Sequence, residues 1–289
     1  LDPAGGTHSQ AIGGINLNGT VCGYSSAGGA APRQAAIWPN SGSAQLLGGL
    51  HPSYSSRGYA INRENVVVGD AFISASEVRA YRWTPAQGMV EIFSPAHLSD
   101  FSSARDLNAA GTIVGYAEDW SLTPPSRAVR WDAMGRAEDL NNLIPAGSGW
   151  TLKKAYSINS LGEIGCTAER QGKTHAVILR PQLGHPVLSE LCLPEAGVAT
   201  ALFALGFTAN KMVALVASTS LGQTTYSGCP GIVLDLANPR LLMTRRADLE
   251  GRVRFDLTIP GRAAGALVYA QALEPAACRK SEVKQYQIL

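Results

Sequence analysis

Side chains that commonly perform acid–base or nucleophilic chemistry are sparse in this sequence, and none stands in a recognised catalytic spacing. There is no Gly-x-Ser-x-Gly, His-Glu-x-x-His or Gly-rich phosphate-loop string. Asp106–Gly111 lacks the third oxygen ligand and the late Glu of a calcium loop. The five histidines are His8, His51, His97, His175 and His185. His175 occupies a repeated strand position that packing explains better than catalysis. The sequence therefore predicts a non-enzyme without metal or cofactor.

Tryptophan and arginine are the side chains that could make a binding surface. Trp38, Trp83 and Trp131 recur at one repeat position, where they either stack on sugar rings or pack between sheets; Leu179 at the fourth position favours packing. Two tryptophans in Pro- and Gly-rich loops, Trp120 and Trp150, are candidates for an exposed contact. Four arginines form a local cluster that either binds an acidic surface or glycan or is simply solvated: Arg245, Arg246, Arg252 and Arg254.

Charge and hydropathy exclude two classes of partner. The 24 basic and 22 acidic residues give a net charge of +2, which argues against nucleic acid. No run of about 18 apolar residues is present, so no membrane span is expected. The sequence begins with Leu1 and not with methionine, as expected if a signal peptide has been removed or if the chain is a fragment.

A four-fold repeat provides the framework for these residues. Its key asparagines, separated by 46, 46 and 51 residues, are Asn16, Asn62, Asn108 and Asn159. A glycine follows three residues later in three copies, at Gly19, Gly111 and Gly162. Asn and Gly at this spacing predict a turn, because glycine adopts positive φ freely and asparagine bonds to its own backbone. A strand follows, and the glycine that ends the motif permits a bulge or a close backbone approach.

Each copy continues with a second strand, and the first three copies have a turn and a third short run after it. The second strands are Gln34–Trp38, Arg79–Trp83, Arg127–Trp131 and His175–Leu179. A unit of about 46 residues built from short strands is typical of a β-propeller blade. A helical solenoid is excluded because no copy contains a long stretch of 3.6-residue periodicity.

The repeat resembles the HAF family of bacterial extracellular repeats over residues 1 to about 182. That family has an Asn-x-x-Gly-x-Val-Val-Gly turn followed by a His-Ala-Phe-x-Trp strand; His175-Ala176 keeps the histidine, whereas Gln34, Arg79 and Arg127 replace it. The resemblance implies a secreted or surface β-propeller without enzymatic activity. We expect Leu1–Gln10 to complete the fourth blade, because open sheet edges aggregate. The alternative is a fragment of a larger propeller.

Residues 183–289 do not repeat and predict an immunoglobulin-like β-sandwich. Six runs read as strands: Thr200–Leu205, Met212–Ala217, Gly231–Leu236, Val253–Ile259, Ala266–Ala272 and Val283–Ile288. The stretch from Cys229-Pro230-Gly231 to Cys278 and Ser281 resembles a small sandwich domain at the C-termini of secreted planctomycete and myxobacterial proteins. Ser281-Glu282 replaces the usual Ser-Asn. The C-terminal strand either completes its own sandwich or adds to a neighbouring subunit.

Five scattered cysteines without Cys-x-x-Cys spacing indicate disulfides and an oxidising compartment. The sandwich resemblance implies a disulfide between Cys229 and Cys278. Cys22 and Cys166 are a weaker second pair, which requires that the first and fourth blades adjoin. Cys192 would then be the odd thiol.

Two functions from different classes remain open. The first is a secreted, non-catalytic structural protein that self-associates as a homo-oligomer or filament at the cell surface. The low content of charged residues and the net charge near zero favour this interpretation, because they promote association. The second is a carbohydrate-binding or adhesion module that uses a propeller face. Exposed aromatic residues beside Asp or Asn on one face would favour the second.

Overall fold

The computed structural model describes residues 7–28, 31–41, 43–181, 187–189, 196–227, 229, 232–249 and 251–289. Within this part of the chain the regular structure is antiparallel β-sheet with two short 3-10 helices, so the all-β class is confirmed. The chain divides into two compact units, unit 1 (Leu1–Arg180) and unit 2 (Pro181–Leu289). None of the described helices is long and apolar enough to cross a membrane.

Unit 1 contains four antiparallel sheets, one for each copy of the repeat, and the strands of each sheet pair in chain order. The first sheet consists of β1 (His8–Gln10), β2 (Val21–Ser26), β3 (Gln34–Trp38) and β4 (Gln45–Gly48). The second consists of β5 (Ser56–Ile61), β6 (Val67–Phe72), β7 (Val78–Thr84) and β8 (Gly88–Glu91). The third consists of β9 (Phe101–Leu107), β10 (Ile113–Glu118), β11 (Ser126–Trp131) and β12 (Ala137–Asp139). The fourth consists of β13 (Trp150–Ile158), β14 (Ile164–Arg170) and β15 (Lys173–Leu179).

Successive sheets pack face to face through apolar residues. The first strand of each sheet contacts the preceding sheet, with β5 on β2, β9 on β6 and β7, and β13 on β10 and β11. Small and branched side chains fill these interfaces together with Trp83 between the first two sheets and Trp131 between the next two. The first strands also contact one another, β5 with β9 and β9 with β13.

The turn after each first strand follows from the repeated asparagine. The Asn16 Oδ1 atom accepts hydrogen bonds from the backbone N–H groups of Asn18 and Thr20, and the bond from the fourth residue after the asparagine recurs in every copy. The third residue after the asparagine has positive φ in every copy, and in the second copy Asn65 takes it with φ 59°. The predicted turn is therefore present, with asparagine replacing glycine where its local hydrogen bonding tolerates the left-handed conformation.

The predicted completion of the fourth blade by the N-terminus is wrong for the residues that the structure describes. His8–Gln10 pairs with Tyr24–Ser26 of the first sheet, and the described partner of β15 is β14. Each unit of the repeat begins with a strand before its asparagine, so the N-terminal segment supplies the first strand of the first sheet. Closing that short hairpin costs less loop entropy than closure across the whole unit. Residues 1–6 lie outside the described residues.

Unit 2 has a sandwich-like arrangement of sheets. One sheet contains β16 (Val187–Leu188), β17 (Ala199–Leu205) and β22 (Val253–Thr258). The other contains β18 (Met212–Ser218), β21 (Arg240–Arg246), β23 (Leu267–Glu274), β24 (Arg279–Lys280) and β25 (Lys284–Gln287). A two-stranded sheet of β19 (Leu221–Thr225) and β20 (Val233–Leu236) accompanies them. Side chains of both larger sheets share one apolar core, and the C-terminal strand β25 completes its own sheet by pairing with β23.

The cysteines divide between the units. Cys229 and Cys278 form a disulfide in unit 2, so the predicted pairing of these two residues is confirmed. The second pair that the sequence suggested is wrong, because Cys22 and Cys166 are free and buried. Cys22 packs between the first and second sheets, whereas Cys166 packs between the third and fourth. Burial raises the pKa of both thiols to about 12. Cys192 lies outside the described residues.

Candidate functional site

Three sheets of unit 1 carry a β-bulge at the same place in the repeat. In β5 the pairing passes from Gly58 to Ala60 and leaves Tyr59 as the extra residue. Arg105 is the corresponding extra residue in β9, and Tyr156 in β13. Each stands three residues before the repeated asparagine of its copy. Side chains of a regular strand alternate between the two faces of the sheet. A bulge interrupts this alternation and redirects the side chain of the extra residue.

In the second and third copies the glycine that ends the repeat motif lies against the backbone of the bulged strand; in the fourth copy Cys166 occupies this position and the strand bulges all the same. A Cβ atom at Gly69 would overlap the carbonyl oxygen of Arg57, and one at Gly115 would overlap that of Ser103. Only glycine permits such a close approach of the two backbones. The close approach expected from the sequence is therefore confirmed, and it occurs directly beside the bulged residue.

The bulged residues of the three sheets contact one another and form what we name the tyrosine–arginine row (Tyr59, Arg105 and Tyr156). The guanidinium carbon of Arg105 lies 4.0 Å from the ring centroid of Tyr59 and 5.8 Å from that of Tyr156. Both distances fit cation–π contacts. Tyr59 and Arg105 are half-buried, whereas 47% of Tyr156 is exposed. The row is thus a partly accessible surface built from residues far apart in sequence.

A buried carboxylate lies next to the row. Asp70, on β6, accepts a hydrogen bond from Arg57 Nε at 3.0 Å and another from Ser103 Oγ at 3.1 Å. Burial raises the pKa of Asp70, and the neighbouring Arg57 guanidinium partly offsets this effect. Because Asp70 is 2% exposed, an external ligand has little access to it, and its negative charge is paired with Arg57.

The other neighbouring cation is compensated as well. Lys154 Nζ lies 4.1 Å from the ring centroid of Tyr116 and 3.7 Å from a carboxylate oxygen of Glu118. The Tyr116 ring also stacks on Phe101 with the ring centroids 5.6 Å apart. Burial raises the pKa of Tyr116 to about 12. Arg105 differs from Arg57 and Lys154, because no carboxylate of the described residues forms an ion pair with it.

The first sheet does not extend the row. Its residue at the bulge position is Gly13, where an added Cβ would overlap the Cys22 sulfur atom. Nearby, Tyr24 donates a hydrogen bond to the side chain of Gln10, and Arg33 lies 5.0 Å above the Tyr24 ring. The row therefore belongs to the second, third and fourth sheets.

The side chains of three of the repeated asparagines also donate hydrogen bonds to other groups of the protein. Asn16 Nδ2 crosses to the next sheet and donates to the carbonyl oxygen of Asn62 at 2.9 Å and to Asn65 Oδ1 at 2.7 Å. Asn108 Nδ2 donates to the carbonyl oxygen of Asn159 at 3.3 Å. In the fourth copy, Asn159 donates instead to Glu163 of its own turn. The side chains of Asn16 and Asn108 therefore connect neighbouring repeats.

The tryptophans divide into buried and accessible residues. Trp38, Trp83 and Trp131 are 5%, 5% and 0% exposed, so they are placed for packing and not for stacking on sugars. Trp120 is 61% exposed, and its ring N–H donates to Glu118 at 3.2 Å. Trp150 is half-buried against His175 and Arg170. Neither of these last two belongs to the row.

The arginines of unit 2 do not gather around one ligand position. Arg245 and Arg246 lie on β21, whereas Arg254 lies on β22 of the other sheet. Arg254 pairs with Asp256 at 2.8 Å, and Arg252 pairs with Asp248 at 3.2 Å. His97 is 3.4 Å from Asp139, and His185 lies outside the described residues. Within the described part of the chain, no cluster of His, Cys, Asp or Glu is arranged to hold a metal ion.

Sequence reasoning missed all three residues of the row, because it began each unit at the asparagine and overlooked the strand before it. The available signal was the position three residues before the asparagine, which reads Gly, Tyr, Arg and Tyr in the four copies. Aligning the residues on both sides of the motif would have placed an arginine between two tyrosines.

Comparisons with known proteins leave the chain without a family. No family model and no curated protein matches it. A fungal alcohol oxidase of the AA5 family, in complex with copper, has 11% identity and a TM-score of 0.29, with 93% of this chain and 73% of that chain covered. Alpha-2-macroglobulin from Escherichia coli, activated by porcine elastase, has 10% identity and a TM-score of 0.24, with 78% and 26% covered. A Salmonella alpha-2-macroglobulin mutant has the same identity and TM-score, with 93% and 20% covered. The chain thus spans about a quarter or less of the macroglobulins, and TM-scores below 0.5 do not establish a shared fold.

Proposed function

We propose that unit 1 is a non-catalytic carbohydrate-binding module that uses the tyrosine–arginine row. One observation carries the proposal: bulges in three sheets bring Tyr59, Arg105 and Tyr156 together at a partly accessible surface. Tyrosine offers a rigid ring face with a polar end, and guanidinium offers several N–H donors. A sugar presents C–H faces for the rings and hydroxyl oxygens for the donors, so its chemistry is complementary to the row.

The proposed setting is extracellular or at the cell surface. The Cys229–Cys278 disulfide supports it, because disulfides persist mainly in oxidising compartments. The likeness of the repeat to the HAF family points the same way. We further propose a β-propeller arrangement of the sheets of unit 1, supported by the contacts that run from one first strand to the next.

The test is a glycan array followed by titration calorimetry with each glycan that binds. Replacement of the half-exposed ring, Tyr156→Ala, should weaken binding by about tenfold, the value of one lost aromatic contact. Tyr54→Ala is the matched control, because Tyr54 is a half-buried turn tyrosine that contacts the His51 ring at a tilt outside the row. Equal effects of the two variants, or no glycan bound at millimolar concentration, would refute the proposal.

Self-association is the second candidate function, and the β15 edge is the observation that favours it. The first three sheets have four strands each, whereas in the described residues the fourth sheet ends at β15. An unpaired edge can accept a strand from a second copy of the chain. Ile178 on this strand is 63% exposed.

Sedimentation velocity across a concentration series tests this second candidate. Wild-type protein should form oligomers, and Ile178→Lys should shift it to monomer by placing a charge on the edge. Leu249→Lys is the control, because Leu249 is 80% exposed in unit 2 and outside that edge. A wild-type monomer at all concentrations contradicts self-association and leaves the glycan proposal standing.

A further inference from the structure

We infer that the carbohydrate bound at the tyrosine–arginine row is acidic and that its anionic group pairs with Arg105. This inference rests on the proposed function and specifies its ligand class. The anionic group is a carboxylate, as in a uronic acid, or a sulfate; both present the same paired oxygen atoms to a guanidinium.

The distribution of charge around the row is the first argument. Three cations lie close together, and two of them have anionic partners: Arg57 has Asp70 at 3.0 Å, and Lys154 has Glu118 at 3.7 Å. Arg105 is half-buried and forms no ion pair with a described carboxylate; the Asp70 charge acts on it without direct contact. A half-buried cation with tyrosine rings on either side is partly desolvated, which strengthens its attraction for an anion.

The orientation of Arg105 is the second argument. The Tyr59 and Tyr156 ring centroids lie 4.0 Å and 5.8 Å from its guanidinium carbon, so ring faces make up much of the described surroundings of the group. The Tyr59 side chain shares a hydrogen bond with Arg105. A guanidinium has five N–H donors, so others remain for a ligand, and they lie in the plane that suits bidentate binding of a carboxylate. The bulge and the two rings hold this plane in position before the ligand arrives.

The hydroxyl groups of the row fit an anionic ligand as well. Burial raises the pKa of Tyr59, and the nearby Asp70 charge raises it further. The phenol therefore stays protonated at neutral pH and adds no negative charge that would repel an acidic sugar. Two carboxylates near the row already have partners: Asp70 is bonded to Arg57 and Ser103, and Asp106 accepts hydrogen bonds from the backbone N–H groups of Leu107 and Ile158.

Titration calorimetry with a matched ligand pair tests the inference. The probes are hexagalacturonate, its methyl ester, which has the same sugar rings without the charges, and a sulfated galactan hexamer. Wild-type protein should bind an acidic hexamer at least about tenfold more tightly than the methyl ester, as expected for one charged hydrogen-bonded pair. The preference should shrink as salt is raised from about 0.05 to 0.5 M, because ions screen an accessible pair.

Three variants assign the effect to Arg105. Arg105→Gln should bind both forms with equal affinity, and Arg105→Lys should keep part of the preference for the acid because it keeps the charge without the planar donors. Arg63→Gln, an exposed turn arginine of unit 1, should behave as wild type. Tryptophan fluorescence verifies that each variant is folded.

The outcomes separate the inference from the proposed function. Equal binding of acid and ester by wild type overturns the acidic ligand and leaves carbohydrate binding intact. An acid preference that survives in Arg105→Gln also overturns it. Binding of only the sulfated hexamer supports the inference and identifies sulfate as the anion. Failure of all three probes, together with an empty glycan array, overturns the proposed function.

Discussion

Unit 1 and unit 2 are both built from antiparallel sheets, but they are stabilised in different ways. Unit 1 repeats one turn and one bulge, and each interface between its sheets has its own apolar cluster. Unit 2 has one main core between two sheets and a disulfide. A cavity of about 380 Å³ in unit 2 is lined mostly by apolar side chains. In unit 1, the same β-bulge in successive repeats places three side chains next to one another on the surface. In unit 2, which has no repeat, the apolar side chains of two sheets meet in one core.

The two units can be monitored separately. All five tryptophans lie in unit 1, at positions 38, 83, 120, 131 and 150. Tryptophan fluorescence therefore follows the unfolding of unit 1, and hydrogen exchange measured by mass spectrometry follows unit 2. With one signal for each unit, the effect of a substitution on the stability of unit 1 can be distinguished from its effect on unit 2.

Loss of the disulfide should have the largest effect and should act on unit 2. The bond joins residues 49 apart, so the double change Cys229→Ser and Cys278→Ser should lower the free energy of unfolding of unit 2 by about 4 kcal/mol on the chain-entropy model. Hydrogen exchange in β23 and β20 provides the measurement. The fluorescence transition of unit 1 is the internal control, and an equal shift there would contradict separate stabilisation.

The close approach at the bulge should dominate the stability of unit 1. Gly69→Ala places a Cβ against the Arg57 carbonyl and should cost about 3 kcal/mol, because the overlap with backbone cannot relax freely. Gly172→Ala is the control: its φ is +71° and nothing lies within 4 Å of the added atom, so strain alone should cost about 1 kcal/mol. Denaturant unfolding followed by fluorescence compares them. Similar costs would mean that the bulge tolerates a side chain.

The asparagine bridges should contribute less than the glycine. Asn16→Ala removes two bonds within the turn and two to the next sheet, and it should cost about 2 kcal/mol. Asn159→Ala removes only bonds of its own turn among those described, so about 1 kcal/mol is expected. The difference between the two variants measures the bridge between repeats. A larger cost for Asn159→Ala would show that the turn matters more than the bridge.

The smallest effect should appear in the pH dependence of unit 1. Burial raises the pKa of Asp70 above its value of 3.8 in the unfolded chain. The folded state therefore binds the proton more tightly, and this group favours folding increasingly as the pH falls through the interval just above 3.8. Asp70→Asn abolishes that contribution, so wild type should gain stability relative to the variant as the pH is lowered.

Asp119 provides a control of opposite sign. Hydrogen bonds from Ser121 lower its pKa, so its contribution is present at neutral pH and is lost on acidification. Asp119→Asn should therefore show the reverse trend in fluorescence-detected unfolding, and the trend should appear as the pH falls below 3.8, the value of this group in the unfolded chain. The same trend in both variants would rule out burial as the origin of the shift at Asp70.

Several features of the fold were accessible from the sequence because they depend on local chemistry. The asparagine turns and the close approach at the final glycine follow from the backbone preferences of these two residues. In unit 2, the predicted strands Thr200–Leu205 and Met212–Ala217 agree with β17 and β18 to within one residue, because a short apolar run bounded by turn residues marks a buried strand. Strand β21 was missed because Arg240–Arg246 is mostly exposed and lacks that alternation.

The sequence by itself determined the repeat, its turns and the glycines that allow two backbones to approach closely. Tertiary structure alone decided that the N-terminal strand joins the first sheet and that Tyr59, Arg105 and Tyr156 become neighbours. These three residues are 46 and 51 positions apart, and an extra residue in each strand displaces them from the alternation that sequence patterns detect. Contact between them depends on how successive sheets stack, which is set by the apolar faces of whole sheets and not by any local preference of the three residues.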